Sequence, residues 1–485
     1  MVNRRIIAKI IGSLLLIEAF FMGWCAAVSS FFQEDDTLAF LLSALLTTAV
    51  GLLLLAAGRS AQSTLSRREA FVVVTAVWTV FSFMGMLPFL IHGCTLSVTD
   101  AYFETMSGFT TTGATIFDDV ERLPKGILFW RSLMQWIGGL GIVFFTIAVL
   151  PSMVGGSVKV FAAEATGPIK AKMHPRLTTT AKWIWSIYLL LTAGCAAGFA
   201  AAGLDWFAAL NYAMTTTATG GFAIHNDALA IYDSPAVDYI AIVFQFLAGV
   251  NFTLLYTSIF KWRLKALLAN SELRFYAGLV AAASLALTGI LIAQMGYGFE
   301  RALRTSLFHV VSFVTTTGII SDDIAAWPHV TWIIIGALMI VGGCAGSTSG
   351  GFKSVRAVMT LKVLRNSFRQ TLHPNAVLPV RINGQSVPQT RINALFAFFT
   401  LFMLMILVTA GIMILAGIDI INSIVIALSC VSNVGPSLST GVGECITWSG
   451  MTDSIKWILS LLMLMGRLEI MTVLVLLTPS FWKEN

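Results

Sequence analysis

Four short runs of threonine, serine and glycine hold the residue types from which a cation site is built. They read Thr110-Thr111-Thr112-Gly113, Thr217-Ala218-Thr219-Gly220, Thr315-Thr316-Thr317-Gly318 and Ser432-Asn433-Val434-Gly435. A partly dehydrated cation needs several oxygens at short range, and backbone carbonyls supply them without a full charge that would trap the ion. Glycine reaches positive φ, which lets successive carbonyls face one axis, while hydroxyls add oxygen and brace the turn. One such run is an ordinary turn. Four, with glycines 107, 98 and 117 residues apart, form an internal repeat. None contains a carboxylate, so the chemistry is that of a monovalent cation rather than a divalent one.

Two further features point to control of a pathway. Gly342-Gly343-Cys344-Ala345-Gly346-Ser347-Thr348-Ser349-Gly350-Gly351 interrupts an apolar run that starts at Thr331. Each glycine costs about 1 kcal/mol against alanine inside a helix. The stretch is therefore read as a loop at membrane depth beneath the third turn, a gate or constriction, with close helix packing through small residues as the alternative. Arg467, in Leu464-Met465-Gly466-Arg467-Leu468-Glu469, lies inside an apolar span. A cation there is expensive unless paired or hydrated. It is expected to face the pore, repel cations and donate to loop carbonyls; snorkelling to the inner interface is the alternative. Glu469 is roughly 200° round the helix, which makes direct pairing awkward. Glu18 is read as protonated against lipid or paired with a neighbouring helix, Glu104 as a brace or a source of negative potential, and His309 and Cys430 as packing groups. The six cysteines show no CxxC or Cys/His spacing and read as small core residues. The remaining histidines suggest no metal site.

These residues need elements to place them. Of 485 residues, 57% are hydrophobic and 11% charged, where a soluble domain carries about 25% charged residues. The mean hydropathy is +0.84. Ten apolar segments stand out at 6–31, 38–57, 70–92, 128–150, 181–202, 239–260, 275–295, 331–358, 394–417 and 455–477, and a crossing takes about 20 residues. A shorter apolar half-helix precedes each turn: Asp100 to Phe109, Trp206 to Thr216, Ala302 to Val314 and Ile420 to Val431. Each unit reads span, half-helix, turn, span. Two crossings per unit give all four the same orientation, so they pack about an axis along the membrane normal. Irregular backbone at membrane depth must line a cavity or be buried in protein, so four converging turns imply a pore, with the negative ends of the half-helices facing the ion. The expected fold class is an all-α polytopic membrane protein with pseudo-fourfold symmetry. Two peripheral spans occupy 1–66, and pore repeats occupy 67–155, 175–262, 272–362 (with the loop 342–351) and 390–482.

Assigning loops alternately to two sides puts 23 of the 30 basic residues on one side, which makes both termini cytoplasmic by the positive-inside rule. The first apolar run is too long for a signal-peptide core and reads as a retained span. Glu34, Asp35, Asp36, Asp118, Asp119, Glu121, Asp227, Asp233, Asp238, Asp322 and Asp323 fall on the outer side, where they either concentrate cations at a mouth or are solvated loop charges. The basic balance, pI about 9.0, thus reflects insertion rather than nucleic-acid binding. Neither GxxxxGK[ST] nor a Rossmann fingerprint occurs, nor HExxH or GxGD. These motifs would be expected for ATP hydrolysis or intramembrane proteolysis, and the chain is not expected to be an enzyme.

The four turns, the glycine-rich break in the eighth span and the two extra spans at 6–57 give the chain a resemblance, over nearly its whole length, to the Trk/Ktr/HKT superfamily of potassium transport proteins, nearest its bacterial TrkH/TrkG branch. The resemblance implies a potassium-selective pathway in the bacterial inner membrane, driven by the membrane potential. Gly113, Gly220, Gly318 and Gly435 would be its filter glycines and potassium its permeant ion, with the loop and Arg467 as gate. It implies no bound cofactor, nucleotides acting only through a cytoplasmic regulatory subunit resembling TrkA, and a homodimer. The basic loop at 359–393 is either a docking surface for that subunit or a solvated positive-inside loop. The fourth turn departs from the TTTG form. Sodium selection in the related plant branch is associated with serine at the first filter glycine; glycine stands at 113 here, which favours potassium. The alternative function is a potassium/proton or potassium/sodium symporter with alternating access. Proton coupling would want a pore-facing acid, and the turns have none.

Overall fold

Helix α1 (Arg4–Phe32) starts where the Asn3 side chain accepts from the Arg5 amide and stops at Gln33, which turns left-handed. It pairs with α2 (Thr37–Ala57) in a hairpin drawn together by glycine: a Cβ on Gly12 would come within 2.7 Å of the Gly51 carbonyl oxygen. The outer face of α2 carries exposed Leu38, Leu41, Leu45 and Leu53, as a lipid-facing helix must. This computed structural model describes residues 3–60, 66–141, 177–260, 262, 264–436 and 448–483. The end of the fourth expected span, the repeat boundary at 155, Lys159, Lys170, Lys172, Arg176, Lys261, Arg263 and Cys445 lie outside the described residues.

Four units follow the hairpin. The first contains α3 (Arg67–Gly85), opened by a Ser66/Glu69 capping box, then α4 (Leu87–His92), the pore helix α5 (Val98–Phe109) and α6 (Lys125–Leu140). The second contains α7 (Leu177–Ala201), the pore helix α8 (Trp206–Ala218), α9 (Pro235–Ala248), α10 (Phe252–Ile259) and α11 (Leu264–Ala269). The third contains α12 (Ser271–Met295), the pore helix α13 (Phe299–Val314), α14 (His329–Val341) and α15 (Ser354–Leu372). A short antiparallel ribbon, Arg381–Ile382 against Gln385–Ser386, leads to the fourth: α16 (Gln389–Leu415), the pore helix α17 (Ile420–Ser432), α18 (Asp453–Arg467), α19 (Ile470–Leu474) and α20 (Pro479–Trp482). Ser97, Asp205 and Asp419 accept first-turn amides of α5, α8 and α17, which lets such short helices begin inside the fold.

The expected ten spans, with a break only in the eighth, need one correction. Among the described residues six helical stretches are individually long and apolar enough to cross a membrane, and eight if bent pairs count as one. The span after the turn is where the difference lies, as the described second, third and fourth units show. α9 and α10 meet at 103°, and α18 and the 470–477 stretch at 114°. At the first bend Asn251 caps α10 by accepting from the amides of Thr253 and Leu254. At the second, Glu469 holds φ at 60°. The break foreseen only in the eighth span is thus shared by the sixth and tenth.

Candidate functional site

Each pore helix ends in the same turn. Thr111, Thr219, Thr316 and Asn433 are left-handed at φ 54°, 55°, 58° and 56°, and two residues later Gly113, Gly221, Gly318 and Gly435 stand at 87°, 80°, 73° and 100°. The residue between them reaches back with its amide: Thr112 to Ser107 at 2.9 Å, Gly220 to Thr215 at 2.9 Å, Thr317 to Ser312 at 2.8 Å, Val434 to Ser429 at 2.9 Å. This register corrects the second turn. Its equivalent residues are Ala218-Thr219-Gly220-Gly221, so Gly221 takes the place expected of Gly220, and Thr217 lies in the last turn of α8. A Gly-Gly pair leaves the choice open in sequence; the backbone angles decide it.

The four turns close on one another. A Cβ built on Gly113 would strike the carbonyl oxygen of Gly220, one on Gly221 that of Thr317, one on Gly318 that of Val434, and one on Gly435 that of Thr112. Each glycine therefore abuts the carbonyl of the next unit, and the fourth returns to the first. Hydroxyls stiffen the ring: Thr110 Oγ1 donates to Met106 O at 2.6 Å and lies 2.8 Å from Thr112 Oγ1, and Thr315 repeats this with Val311 O and Thr317 Oγ1, both at 2.7 Å. Asn433, the odd residue of the fourth turn, donates to Thr112 Oγ1 and Met463 O, each at 2.9 Å. All of these side chains are buried.

The glycine-rich stretch forms a loop under the ring, stitched to several units. Gly350 N donates to Thr316 Oγ1 at 2.6 Å and Gly351 N to Ser432 O at 2.9 Å. Thr348 Oγ1 lies within reach of the carbonyls of Thr217 (3.1 Å) and Ala248 (3.2 Å). Cys344 N donates to Gly249 O at 2.9 Å, and Gly346 O accepts from Phe252 N at 3.0 Å. Gly342, Gly346 and Gly351 hold positive φ. Gly343 lies close beside Ser349, and Ser347 Oγ donates to Cys344 O at 2.6 Å. Arg467 supplies the first unit: its guanidinium donates to Thr348 O at 2.8 Å and to Gly138 O and Gly139 O, both at 2.6 Å. Glu469 instead meets Arg356 at 2.8 Å.

Other charges are placed differently from the sequence reading. Arg131, one of the few basic residues that the alternation of loops leaves on the outer side, is buried and pairs with Glu104 at 2.8 Å. Asp36, expected at the outer rim, is buried and accepts from Ser29 and from Ile127 N at the start of α6 (2.8 Å). Asp238 is likewise buried, against Arg304. At the surface Asn226 donates to Asp119 at 3.0 Å and holds that carboxyl below the usual range, as His92 does for Asp35. Glu18 is buried against Gly85 and Phe109. Sequence reading passed over Gln135, Asn251 and Glu272. Gln135 Nε2 donates to Gly220 O at 2.7 Å and its Oε1 accepts from Phe222 N at 3.0 Å. Asn251 donates to Ala345 O, and Glu272 accepts from Ala345 N at 2.6 Å. For Gln135 and Asn251, polar residues inside apolar spans, that placement was the available signal; Glu272, just before the seventh span, gave none.

The comparisons with known proteins follow this geometry. Residues 37–484 match TrkH, described as a cation transport protein. The Trk system potassium uptake protein TrkH of Escherichia coli K12 is 36% identical over 439 residues, 90% of each chain. That of Halomonas elongata is 36% identical over 488 residues, 99% of each. The crystal structure of the potassium transporter TrkH from Vibrio parahaemolyticus superposes with a TM-score of 0.90 at 32% identity, covering 99% of both chains. Matched along its length in sequence, and in fold to a polytopic membrane protein, the chain belongs to the TrkH family of cation transport proteins.

Proposed function

We propose that the chain conducts potassium across the bacterial inner membrane, down its electrochemical gradient, through the ring of four turns. The observation that carries this reading is ring closure, with each positive-φ glycine lying against the carbonyl of the next unit. Carbonyls so held can replace part of the hydration shell of a cation without trapping it. The C-terminal ends of α5, α8, α13 and α17 add negative potential. Potassium is the ion named for the relatives, and glycine at 113 fits it. The loop 342–351 and Arg467 are the gate: they occupy the space under the ring, and the cation of Arg467 repels permeant ions. A cytoplasmic nucleotide-binding subunit resembling TrkA would act on this gate from the basic face, nucleotides reaching the chain only through it, with two copies of the chain assembled as a homodimer.

The test is flux in liposomes containing the full-length chain, loaded with potassium and bathed in sodium. Cation flux that follows the potassium gradient and ignores an imposed pH gradient is expected. Flux locked to the proton gradient would replace conduction by symport. Absence of flux, with and without the regulatory subunit, would sink the pore.

A further inference from the structure

Nine residues before the ring glycine, the four pore helices carry Glu104, Tyr212, His309 and Ile426. The first three share no chemistry, yet each hydrogen-bonds the segment that leaves its own turn, Glu104 and His309 at the residue three beyond the glycine and Tyr212 at the residue seven beyond it. Glu104 Oε2 accepts from the amide of Ile116 at 3.0 Å, and Oε1 from Thr115 Oγ1 at 3.1 Å. The Tyr212 hydroxyl donates to Ala228 O at 2.9 Å, on the segment leaving the second turn. His309 Nε2 accepts from the amide of Ser321 at 3.4 Å. All three side chains are buried, so a backbone amide or carbonyl left unpaired there would find no water in their place.

Resting on the reading of the ring as a selectivity filter, we infer that Glu104, Tyr212 and His309 are positioning residues for ion selection. Each ties the strand leaving its turn back to its own pore helix, and thereby fixes the direction of the ring carbonyls just before it. Their surroundings keep Glu104 and His309 acceptors. Arg131 Nε donates to Glu104 at 2.8 Å while another of its nitrogens donates to Ala223 O of the second unit at 2.9 Å, so the first post is also braced against its neighbour. His309 Nδ1 lies 2.8 Å from the Thr305 carbonyl, which only an Nδ1–H can satisfy, leaving Nε2 bare for Ser321. Trp327 packs edge-on at 4.8 Å and holds the ring in that plane. Ile426 has no atom able to accept, so the post is a property of three units and the ring is held unevenly.

The experiment is the potassium-over-sodium permeability ratio, read from the reversal potential of the reconstituted full-length chain. His309→Leu and Tyr212→Phe are each expected to lower the ratio about fivefold, the factor carried by one intramolecular hydrogen bond. His309→Gln, whose amide oxygen can accept from Ser321, is expected to recover it, which a merely space-filling histidine would not require. Gly113→Ser reports on the ring itself. If it shifts the ratio while His309→Leu and Tyr212→Phe leave it at the wild-type value, the posts are overturned and the filter stands. If Gly113→Ser also leaves the ratio unchanged, the filter reading falls, and the posts with it. Should His309→Leu fail to fold, Tyr212→Phe, which loses one oxygen, decides alone on the same criterion.

Discussion

Gly220 and Gly221 are neighbours with unequal burdens. Gly221 holds φ at 80° and faces the Thr317 carbonyl, a backbone atom that cannot step aside; Gly220 meets the side chain of Gln135, which can. A side chain at 221 therefore adds left-handed strain of about 1–3 kcal/mol to a clash inside the ring. Gly221→Ala should reduce potassium uptake by about tenfold or more, while Gly220→Ala keeps a measurable share of it. Gly278→Ala, in open space on α12, should leave uptake as it was. Equal losses at 220 and 221 would return the second filter glycine to the position that the TTTG pattern first indicated. Uptake assays in a strain lacking its own potassium systems separate the three variants. The same contrast explains why residue types revealed the ring but not its register. Composition locates a turn to within a residue, whereas the angle at each glycine belongs to the closed ring.

At the scale of elements, the short pore helices and the glycine-rich loop were legible because each has a signature: an apolar stretch too short to cross, and five glycines in ten residues. The bends at Gly249 to Asn251 and at Leu468 to Glu469 have none. A lone Gly or Asn in an apolar run is common, and a left-handed Glu469 is stabilised by partners far away in sequence, notably Arg356 at 2.8 Å. The bend after Arg467 has a functional consequence. It ends α18 at the arginine, so the guanidinium leaves the helix terminus and joins Thr348 of the loop to Gly138 and Gly139 of α6. Arg467→Ala removes these charge-assisted bonds, each worth about 1.5–3 kcal/mol, and the repelling charge as well. Potassium flux in liposomes should rise several-fold at unchanged protein content; unchanged flux would take Arg467 out of the gate.

Across the whole molecule, the sidedness of charge sets the orientation in the bilayer, and a few contacts show that one assignment settles both ends of the chain. The Asn3 amide donates to Glu69 at 2.9 Å, and Arg68 donates to the Lys483 carbonyl at 2.8 Å. The start of α1, the start of α3 and the C-terminal segment thus lie together, and Arg5 meets Ser60 there at 3.1 Å. The loop assignment puts Asp118, Asp119 and Asp233 on the opposite side, where carboxylates raise the local cation concentration. A bilayer inserts the basic end inward. Green fluorescent protein fused after Asn485 should therefore fluoresce, and alkaline phosphatase fused there should be inactive, whereas the phosphatase placed after Asp233 should be active. Phosphatase activity at Asn485 would invert the molecule. The acidic end would then face the cytoplasm, the loop and Arg467 would lie on the outer side of the ring, and a cytoplasmic subunit would have no basic face on which to act.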